Sequence, residues 1–203
     1  HLACASEPEH PANQQQLELF LQAKQALPEL PISFANSSGI FLGAAWHGDL
    51  ARPGCSLYGI TPNAALPNPM HNIVELSAPI IQIRTLDHDQ AIGYGGTCMR
   101  PKGAKLATVA LGYADGLSRL LSNQLQAYVG HYKVPLVGRV SMDMMIFDVS
   151  AIPEGQLQQA ERVVVMDDRQ RVDDIAQLTD TIGYEVFTRL GRRIKRTYVG
   201  AHA

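Results

Sequence analysis

The sequence has little charge and no excess of basic residues. Charged residues make up 18% of its 203 residues, and the formal net charge is −2. A disordered chain carries more charge relative to its apolar residues, so this composition indicates a globular protein. A protein that binds nucleic acid needs excess Lys and Arg to neutralise phosphates, so we expect no nucleic-acid partner.

Paired cysteines and long apolar runs are also missing. Cys4, Cys55 and Cys98 lie far apart and form no CxxC pair, so we predict no metal site. We expect them to be mainly small buried side chains in a reducing compartment, which predicts a cytoplasmic protein. No apolar run reaches the roughly 18 residues that span a bilayer, so we expect no membrane partner. The GxSxG, HExxH, P-loop and GxGxxG motifs are absent as well.

Residues 1–72 alternate short strands with helices. This alternation is typical of a parallel α/β unit. Three short strands cannot close a parallel barrel, so we interpret this part as the end of a larger α/β domain that begins upstream. The predicted strands cover 1–5, 31–35 and 49–59, and the predicted helices cover 12–27 and about 38–45.

Residues 73–203 follow a Pro- and Asn-rich linker at 61–72 and have a different pattern. Short strand-like runs separated by turns indicate an all-β domain, either a sandwich or a barrel. A helix is predicted over 172–190, followed by a final strand over about 194–199, whose basic run we interpret as a solvated edge. The other predicted strands cover 73–86, 91–98, 105–113, 126–130, 134–140, 143–149 and 162–167.

Two clusters in the first part could hold an anion. Asn36 and Ser37 end a predicted strand just before a helix, where free backbone N–H groups suit a phosphate. An ordinary helix N-cap is the alternative. Arg52 stands beside Gly54 and Cys55, and it could address an anion or a ring nitrogen, or it could be a surface Arg beside a turn.

Four further clusters lie in the second part. Tyr94 is flanked by glycines and could project its phenol into a site, although a β-bulge with a packed Tyr is the alternative. Tyr113 precedes an Asp-Gly turn at a strand end. The backbone near Met142 could bind a carboxylate or form a simple β-turn. Tyr184 lies at the start of a helical turn.

In their order and spacing, these clusters resemble alanine racemase, a fold-type III pyridoxal-phosphate enzyme. The family fold is a (β/α)8 barrel followed by a β-rich domain. The resemblance therefore implies the tail of a TIM-type barrel in residues 1–72 and a barrel-like β domain in residues 73–203. The matching segments are HLACAS, FANSSGI, RPGCSLYG, GYGGT, GYADGLSR, GRVSMD and IGYEV.

The resemblance implies that pyridoxal 5′-phosphate is the cofactor. In the family, the residue matching His1 hydrogen-bonds the one matching Arg52, and that Arg faces the pyridine nitrogen. The phosphate is held by the Ser matching Ser37, by two backbone groups and by a Tyr. The residues implied to bind the cofactor are thus His1, Asn36, Ser37, Arg52, Gly54, Cys55 and Tyr184.

The implied reaction interconverts L-alanine and D-alanine by transfer of the α-proton between two bases. Tyr94 is the implied base on one face. A phenol titrates near pH ~10, so a Tyr that acts as a base needs positive charge nearby. Met142 matches the residue whose backbone N–H binds the substrate carboxylate, and Tyr113 matches a Tyr of the entrance. The resemblance implies a homodimer, in which these residues act on the partner's cofactor.

The second base of the family is a Schiff-base Lys on the first barrel strand, and no Lys here matches it. We therefore expect that residue upstream of His1, and we expect the chain by itself to be inactive. The lysines present, in helix or turn contexts, are Lys24, Lys102, Lys105, Lys133 and Lys195.

Two alternatives remain open. A broader racemase of the same fold type, acting on serine or lysine, would share the carboxylate-binding features. A non-catalytic dimerisation or binding fragment would instead fold without cofactor from about residue 73 to 203.

Overall fold

A computed structural model of the chain describes residues 1–63 and 65–200. The chain forms two compact units, one from His1 to Ile73 and one from Val74 onward. Each unit is described here by itself.

The first unit contains two α-helices, α1 at Pro11–Gln25 and α2 at Ser37–Ile40. Helix α1 begins after His10, whose Nδ1 accepts a hydrogen bond from the Ala12 N–H at 3.2 Å. Proline suits the first helical position because its missing N–H would have no partner there. Short 3-10 helices follow at Ala44–Trp46 and Cys55–Tyr58.

An aromatic stack forms the centre of this unit. Phe34 is buried, and its ring stacks on Phe20 of α1 with centroids 4.5 Å apart. Trp46 stacks near the same ring at 6.4 Å. Leu2 and Ala5 belong to the same apolar cluster. This cluster holds the first residues of the chain beside α1 and the segment that precedes α2.

The strands predicted over 1–5, 31–35 and 49–59 are not formed among the described residues. The first unit has only isolated bridges, an antiparallel one between Ser33 and Gly48 and a parallel one between Asn36 and Arg52. A strand needs successive paired residues on a neighbour, and single bridges do not supply them. The helix predicted over 38–45 is also interrupted, because Gly43 has a φ of 117°.

The second unit is built on a six-stranded antiparallel sheet with the order β6-β5-β8-β1-β4-β7. A separate ribbon pairs β2 with β3. The strands are β1 Leu76–Thr85, β2 Gln90–Ile92, β3 Cys98–Arg100, β4 Lys105–Val109, β5 Gln126–Val129, β6 Tyr132–Pro135, β7 Met145–Asp148 and β8 Arg162–Met166.

The two edges of this sheet meet and nearly close it. Leu136, just after β6, forms an antiparallel bridge with Phe147 of β7. The Val137 N–H also donates to the Ile146 carbonyl at 2.8 Å. Side chains at alternate positions of β5 and β7 are buried. The predicted barrel-like β domain is therefore confirmed.

Three helices complete the second unit: α3 at Glu154–Leu157, α4 at Val172–Leu178 and α5 at Gly183–Arg189. The single helix predicted over 172–190 is thus two helices. Asp180 separates them with a φ of 50°, which no α-helix residue adopts. The strand predicted over 194–199 is absent from the described residues, which show turns and irregular backbone after α5.

The cysteines are free thiols, and Cys55 is buried while Cys4 and Cys98 are half-buried. Within residues 1–63 and 65–200, no three His, Cys, Asp or Glu side chains group as metal ligands do. No helix in the same residues has the length and apolar character needed to cross a membrane.

Asp167, just after β8, is held by Arg169. Its Oδ2 accepts from Arg169 Nε at 2.9 Å and from Nη2 at 2.5 Å. Partial burial alone would raise the pKa of the Asp167 carboxyl, but the hydrogen bonds from Arg169 outweigh it and lower the pKa. The guanidinium also lies 4.0 Å from the centroid of the Tyr128 ring.

We expect Asp167→Asn to lower the free energy of unfolding at pH 7 by about 1 kcal/mol, allowing for solvent screening. A carboxyl with a lowered pKa stabilises the fold above its unfolded pKa of about 3.9, and that contribution is lost as the pH falls through the folded pKa. Urea unfolding between pH 7 and pH 3 measures it. Asp168→Asn is the matched control, because Asp168 is exposed. Equal losses in both variants at pH 7 would contradict this account.

Candidate functional site

Ser37 is the centre of a donor cluster in the first unit. Its side chain is 4% exposed. Its Oγ accepts hydrogen bonds from the Gly54 N–H at 2.8 Å and from the Ser56 N–H at 3.4 Å. Two backbone N–H groups and one hydroxyl therefore converge on a single point.

Asn36 explains why the chain folds this way locally. Its Oδ1 accepts from the Gly39 N–H at 2.9 Å, which confirms the N-cap alternative for this residue. Its Nδ2 donates to the Leu2 carbonyl at 3.0 Å. The parallel bridge between Asn36 and Arg52 then brings Gly54 beside Ser37.

Arg52 is the positively charged residue that pairs with Asn36 in this bridge. Its Nη1 donates to Ser33 Oγ at 2.5 Å, and its Nη2 donates to the Phe34 carbonyl at 3.4 Å. The same Nη2 lies 3.4 Å from His1 Nδ1, so the structure brings together the pair that the resemblance implied. Asn36 Nδ2 lies 3.3 Å from the other ring nitrogen of His1. A neutral imidazole accepts at only one nitrogen, so only one of these contacts is a hydrogen bond at a time.

The cluster suits a phosphate group. Ser56 Oγ is buried and has no hydrogen-bond partner among the described residues. A Cβ added at Gly54 would point at Ser37 Oγ from 4.0 Å, so the glycine leaves the approach to this hydroxyl open. Backbone N–H and hydroxyl donors that converge in this way are suitable partners for phosphate oxygens.

In the second unit, the loop at residues 93–97 carries Tyr94 on its surface. Tyr94 is 73% exposed, so the alternative of a packed Tyr is wrong. The glycines on either side, Gly93, Gly95 and Gly96, have φ values of 72°, 75° and 56°. A Cβ at Gly95 would lie 3.4 Å from Arg139 Cζ, which shows that the Arg139 side chain lies against this loop.

Tyr113 and Met142 lie on two segments that are joined by backbone hydrogen bonds. The Tyr113 N–H donates to the Ser141 carbonyl at 3.0 Å, and the Ala114 N–H donates to the Met142 carbonyl at 2.9 Å. The Ser141 N–H donates to the Met144 carbonyl at 3.0 Å, across a bend at residues 142 and 143. The Met142 N–H itself has no partner among the described residues, so it is available to a ligand.

Sequence analysis missed an ion cluster beneath these two segments. Arg193 Nη1 lies 2.5 Å from Asp143, and Arg193 Nε lies 3.2 Å from Asp115. The hydrogen bond that Arg193 donates to Asp143 and the negative charge of Asp115 raise the pKa of Arg193. Asp115 also accepts from the Gly112 N–H at 3.0 Å. The basic run at 192–196, which we interpreted as a solvated strand edge, is largely exposed, but it forms no strand, and Arg193 has two carboxylate partners. The sequence signal for this ion cluster was the presence of Asp115 two residues after Tyr113 and of Asp143 directly after Met142.

Tyr184 lies at the beginning of α5 and is 46% exposed. Its helix is stabilised by an ion pair at 2.5 Å between Glu185 and Arg189. The far end of this helix contacts the turn after Tyr113, because the Gly191 N–H donates to the Asp115 carbonyl at 2.9 Å.

Comparison with known families matches both parts of the chain. The model of the alanine racemase N-terminal domain matches residues 1–62. The model of the alanine racemase C-terminal domain matches residues 73–198.

Individual relatives agree with these matches. A catabolic alanine racemase of Agrobacterium fabrum is 48% identical over 98% of this chain and 51% of its own length. An alanine racemase of Rhodospirillum rubrum is 46% identical over 98% of this chain and 54% of its own length. The chain therefore spans about half the length of the relatives it matches.

Solved structures give the same result. Alanine racemase from Bartonella henselae, with covalently bound pyridoxal phosphate, has a TM-score of 0.89 and 38% identity, over 98% of this chain and 55% of that one. Biosynthetic alanine racemase from Pseudomonas aeruginosa has a TM-score of 0.85 and 36% identity, over 100% of this chain and 56% of that one.

Gly112 is required where the Tyr113 and Met142 segments touch. A Cβ at Gly112 would lie 2.3 Å from the Met142 carbonyl oxygen and 2.4 Å from that of Ser141. Because backbone must then move, we expect Gly112→Ala to lower the free energy of unfolding by about 2 kcal/mol or more. Urea unfolding followed by circular dichroism measures the loss.

Gly155→Ala is the matched control, because nothing lies within 4 Å of a Cβ there. In helix α3 it should be neutral or slightly stabilising. A Gly112→Ala variant as stable as Gly155→Ala would contradict the close approach described here.

Proposed function

The chain belongs to the alanine racemase family, and on this premise we propose that the natural protein in which it occurs interconverts L-alanine and D-alanine with pyridoxal 5′-phosphate. The observation that supports this most directly is the convergence of Ser37, Gly54 and Ser56 beside Arg52. A cytoplasmic location is part of the proposal.

The phosphate of the cofactor would bind at Ser37. In the structure, Ser37 Oγ accepts the Gly54 N–H at 2.8 Å. A charged phosphate oxygen is a stronger acceptor than a hydroxyl, so both the Gly54 N–H and the Ser37 hydroxyl would donate to it. On the family resemblance, we propose the same role for the Cys55 backbone and the Tyr184 hydroxyl. Asn36 would act by holding Ser37 and His1 in place.

Arg52 would face the ring nitrogen of the cofactor. When bound, pyridoxal phosphate supplies an aldehyde that takes the amino group of the substrate and a conjugated ring that shares the electron pair left by the α-proton. Arg52 is fixed by Ser33 Oγ at 2.5 Å and by the Phe34 carbonyl at 3.4 Å. An Arg keeps its proton, so it can only donate to the nitrogen and leaves it unprotonated. That weakens electron withdrawal and favours return of a proton to carbon.

Tyr94 would remove or return the α-proton on one face of the substrate. Its loop fixes the backbone, while the side chain itself is 73% exposed and free to reach a substrate. The guanidinium of Arg139, 3.4 Å from the Cβ position of Gly95, is the positive charge next to this loop.

Met142 and Tyr113 would position the substrate. The Met142 N–H, available in its turn, would bind the carboxylate of alanine, and Tyr113 would line the entrance. On the family resemblance, we propose a homodimer in which Tyr94, Tyr113 and Met142 act on the cofactor of the partner subunit. Their surface positions, with Tyr113 41% and Met142 54% exposed, suit that role.

Ser37→Ala tests the phosphate site. We expect cofactor affinity to fall about 10-fold or more, because one hydrogen bond to a charged group is lost. Absorbance titration of the cofactor-free natural protein with pyridoxal phosphate measures the affinity. The control is Ser38→Ala, the neighbouring buried serine. If both variants bind the cofactor with the same affinity, Ser37 does not hold the phosphate.

Tyr94→Phe tests the assigned base. We expect the exchange of the α-proton with solvent deuterium to fall at least ~100-fold for one alanine enantiomer and to persist for the other, because only one face loses its base. NMR in D2O follows the exchange from each enantiomer separately. Tyr198→Phe, at a residue 82% exposed, is the control. Equal losses for both enantiomers would contradict the assignment.

A further inference from the structure

One side chain, that of Asn123, contacts both the Tyr94 loop and the segment against which that loop packs. Its Nδ2 donates to Thr97 Oγ1 at 3.1 Å, at the end of the loop. Its Oδ1 accepts from the Gly138 N–H at 2.6 Å. The next residue, Arg139, is the one against which the loop packs, since a Cβ at Gly93 would lie 3.2 Å from the Arg139 nitrogen.

Asn123 has an unusual backbone for a residue with a side chain. Its φ is 59°, and Asp180 is the one other non-glycine residue with positive φ in the part of the chain that the structure describes. A glycine would adopt this conformation without strain. Asn123 differs from a glycine at this position by its side-chain amide, and both the Nδ2 and the Oδ1 of that amide form hydrogen bonds.

The segment around Asn123 is anchored in the core. Leu121 and Leu125 are fully buried, and the Leu125 N–H donates to the Leu121 carbonyl at 3.0 Å. Ser122 Oγ accepts from the Val140 N–H at 3.0 Å. The side chains of Ser122 and Asn123 therefore bind the backbone of residues 138–140, which precede Met142. Asn123 also binds the Tyr94 loop, so both segments are held by the same part of the chain.

The pairing of Ile92 with Cys98 holds the two ends of the Tyr94 loop together, but the residues between them have few contacts of their own. Three of its residues are glycines with no side chain to pack, and Tyr94 itself is exposed. Its internal hydrogen bond, from the Gly96 N–H to the Gly93 carbonyl, is 3.2 Å long. Between its ends, the placement of the loop therefore depends on the segment of Gly138 and Arg139 and on the Thr97 hydroxyl, and Asn123 hydrogen-bonds to both Gly138 and Thr97.

We infer that Asn123 is a positioning residue. Through its two hydrogen bonds, it fixes the position of the Tyr94 phenol relative to the Met142 turn. This inference rests on the proposed function and deepens it. Misplacing a catalytic group by about 1 Å costs up to ~100-fold in rate. Loss of the amide should therefore slow proton transfer on the face that Tyr94 serves, while the carboxylate turn continues to bind substrate through its own hydrogen bonds.

The test compares Asn123→Gly with Asp180→Gly in the natural protein. Both substitutions place glycine at a positive-φ position, but only the first removes bonds to the Tyr94 loop. We expect Asn123→Gly to lower kcat about 10-fold or more with KM for alanine changed less than about threefold. The loss in deuterium exchange should fall on the enantiomer that Tyr94→Phe affects. Asp180→Gly should leave kcat, KM and the deuterium exchange of both enantiomers unchanged.

A second measurement does not depend on activity. Backbone hydrogen exchange of the cofactor-free protein should show lower protection across residues 93–97 in Asn123→Gly but not in Asp180→Gly. Thr97→Val removes only the hydroxyl partner and should give a smaller change in the same direction.

Unchanged protection across 93–97 in Asn123→Gly would overturn the inference. An equal loss of exchange for both enantiomers would also overturn it, because that is what general destabilisation produces. If the wild-type protein did not racemise alanine, the proposed function would fail and the catalytic part of this inference with it. The hydrogen-exchange result would then separate that failure from an error in the Asn123 contacts.

Discussion

The closure of the β-sheet is the constraint on which the candidate site of the second unit depends. Leu136 and Val137 pair with Phe147 and Ile146, which brings the end of β6 to the beginning of β7. Residues 138–144 connect these paired positions, so they must form a tight loop outside the sheet. That loop contacts the Tyr94 loop, the Tyr113 turn and Arg193. Without closure, these three elements would have no common partner.

The arginines near the candidate sites fall into two classes. Arg193 is neutralised by Asp115 and Asp143 and has a structural role between two turns. Arg52, in contrast, contacts neutral oxygens at Ser33 and Phe34. A guanidinium held by neutral acceptors keeps its charge available, which is what an anionic or electron-rich ligand requires. The partners of an arginine thus distinguish its roles better than its position in the sequence does.

Much of the second unit followed from local pattern, since strand-like runs separated by turns predicted the approximate positions of most of the sheet strands. The failures have more than one physical origin. The basic segment after α5 was predicted to be a strand, but it forms turns and irregular backbone, and Arg193 in it pairs with Asp115 and Asp143, which are distant in sequence. The strands predicted in the first unit lack ladder partners among the described residues. A single left-handed residue, Asp180, divides one predicted helix into two.

The residues of the candidate site could be singled out from the sequence to a similar degree, and their roles stay predictions. Tyr94, Ser37 and Arg52 were recognisable because they lie in motifs whose order resembles a family. Asn123 lies outside those motifs, and its role depends on a backbone angle and on two contacts that no local pattern encodes. Residues that contact a ligand leave a sequence signature more readily than residues that hold them in place.

The strand order of the sheet has a consequence for how the chain is made. Strand β8 lies between β5 and β1, so it joins a β5–β6 hairpin to a β1–β4–β7 sheet. Until the ribosome has released β8, both β5 and β1 present an unpaired edge, and such edges invite association between nascent chains. The pairing of Leu136 with Phe147 links the two halves at their other ends and is complete in sequence before β8 is synthesised. This pairing can therefore keep the two halves of the sheet in register and leave the position between β5 and β1 open until β8 pairs there.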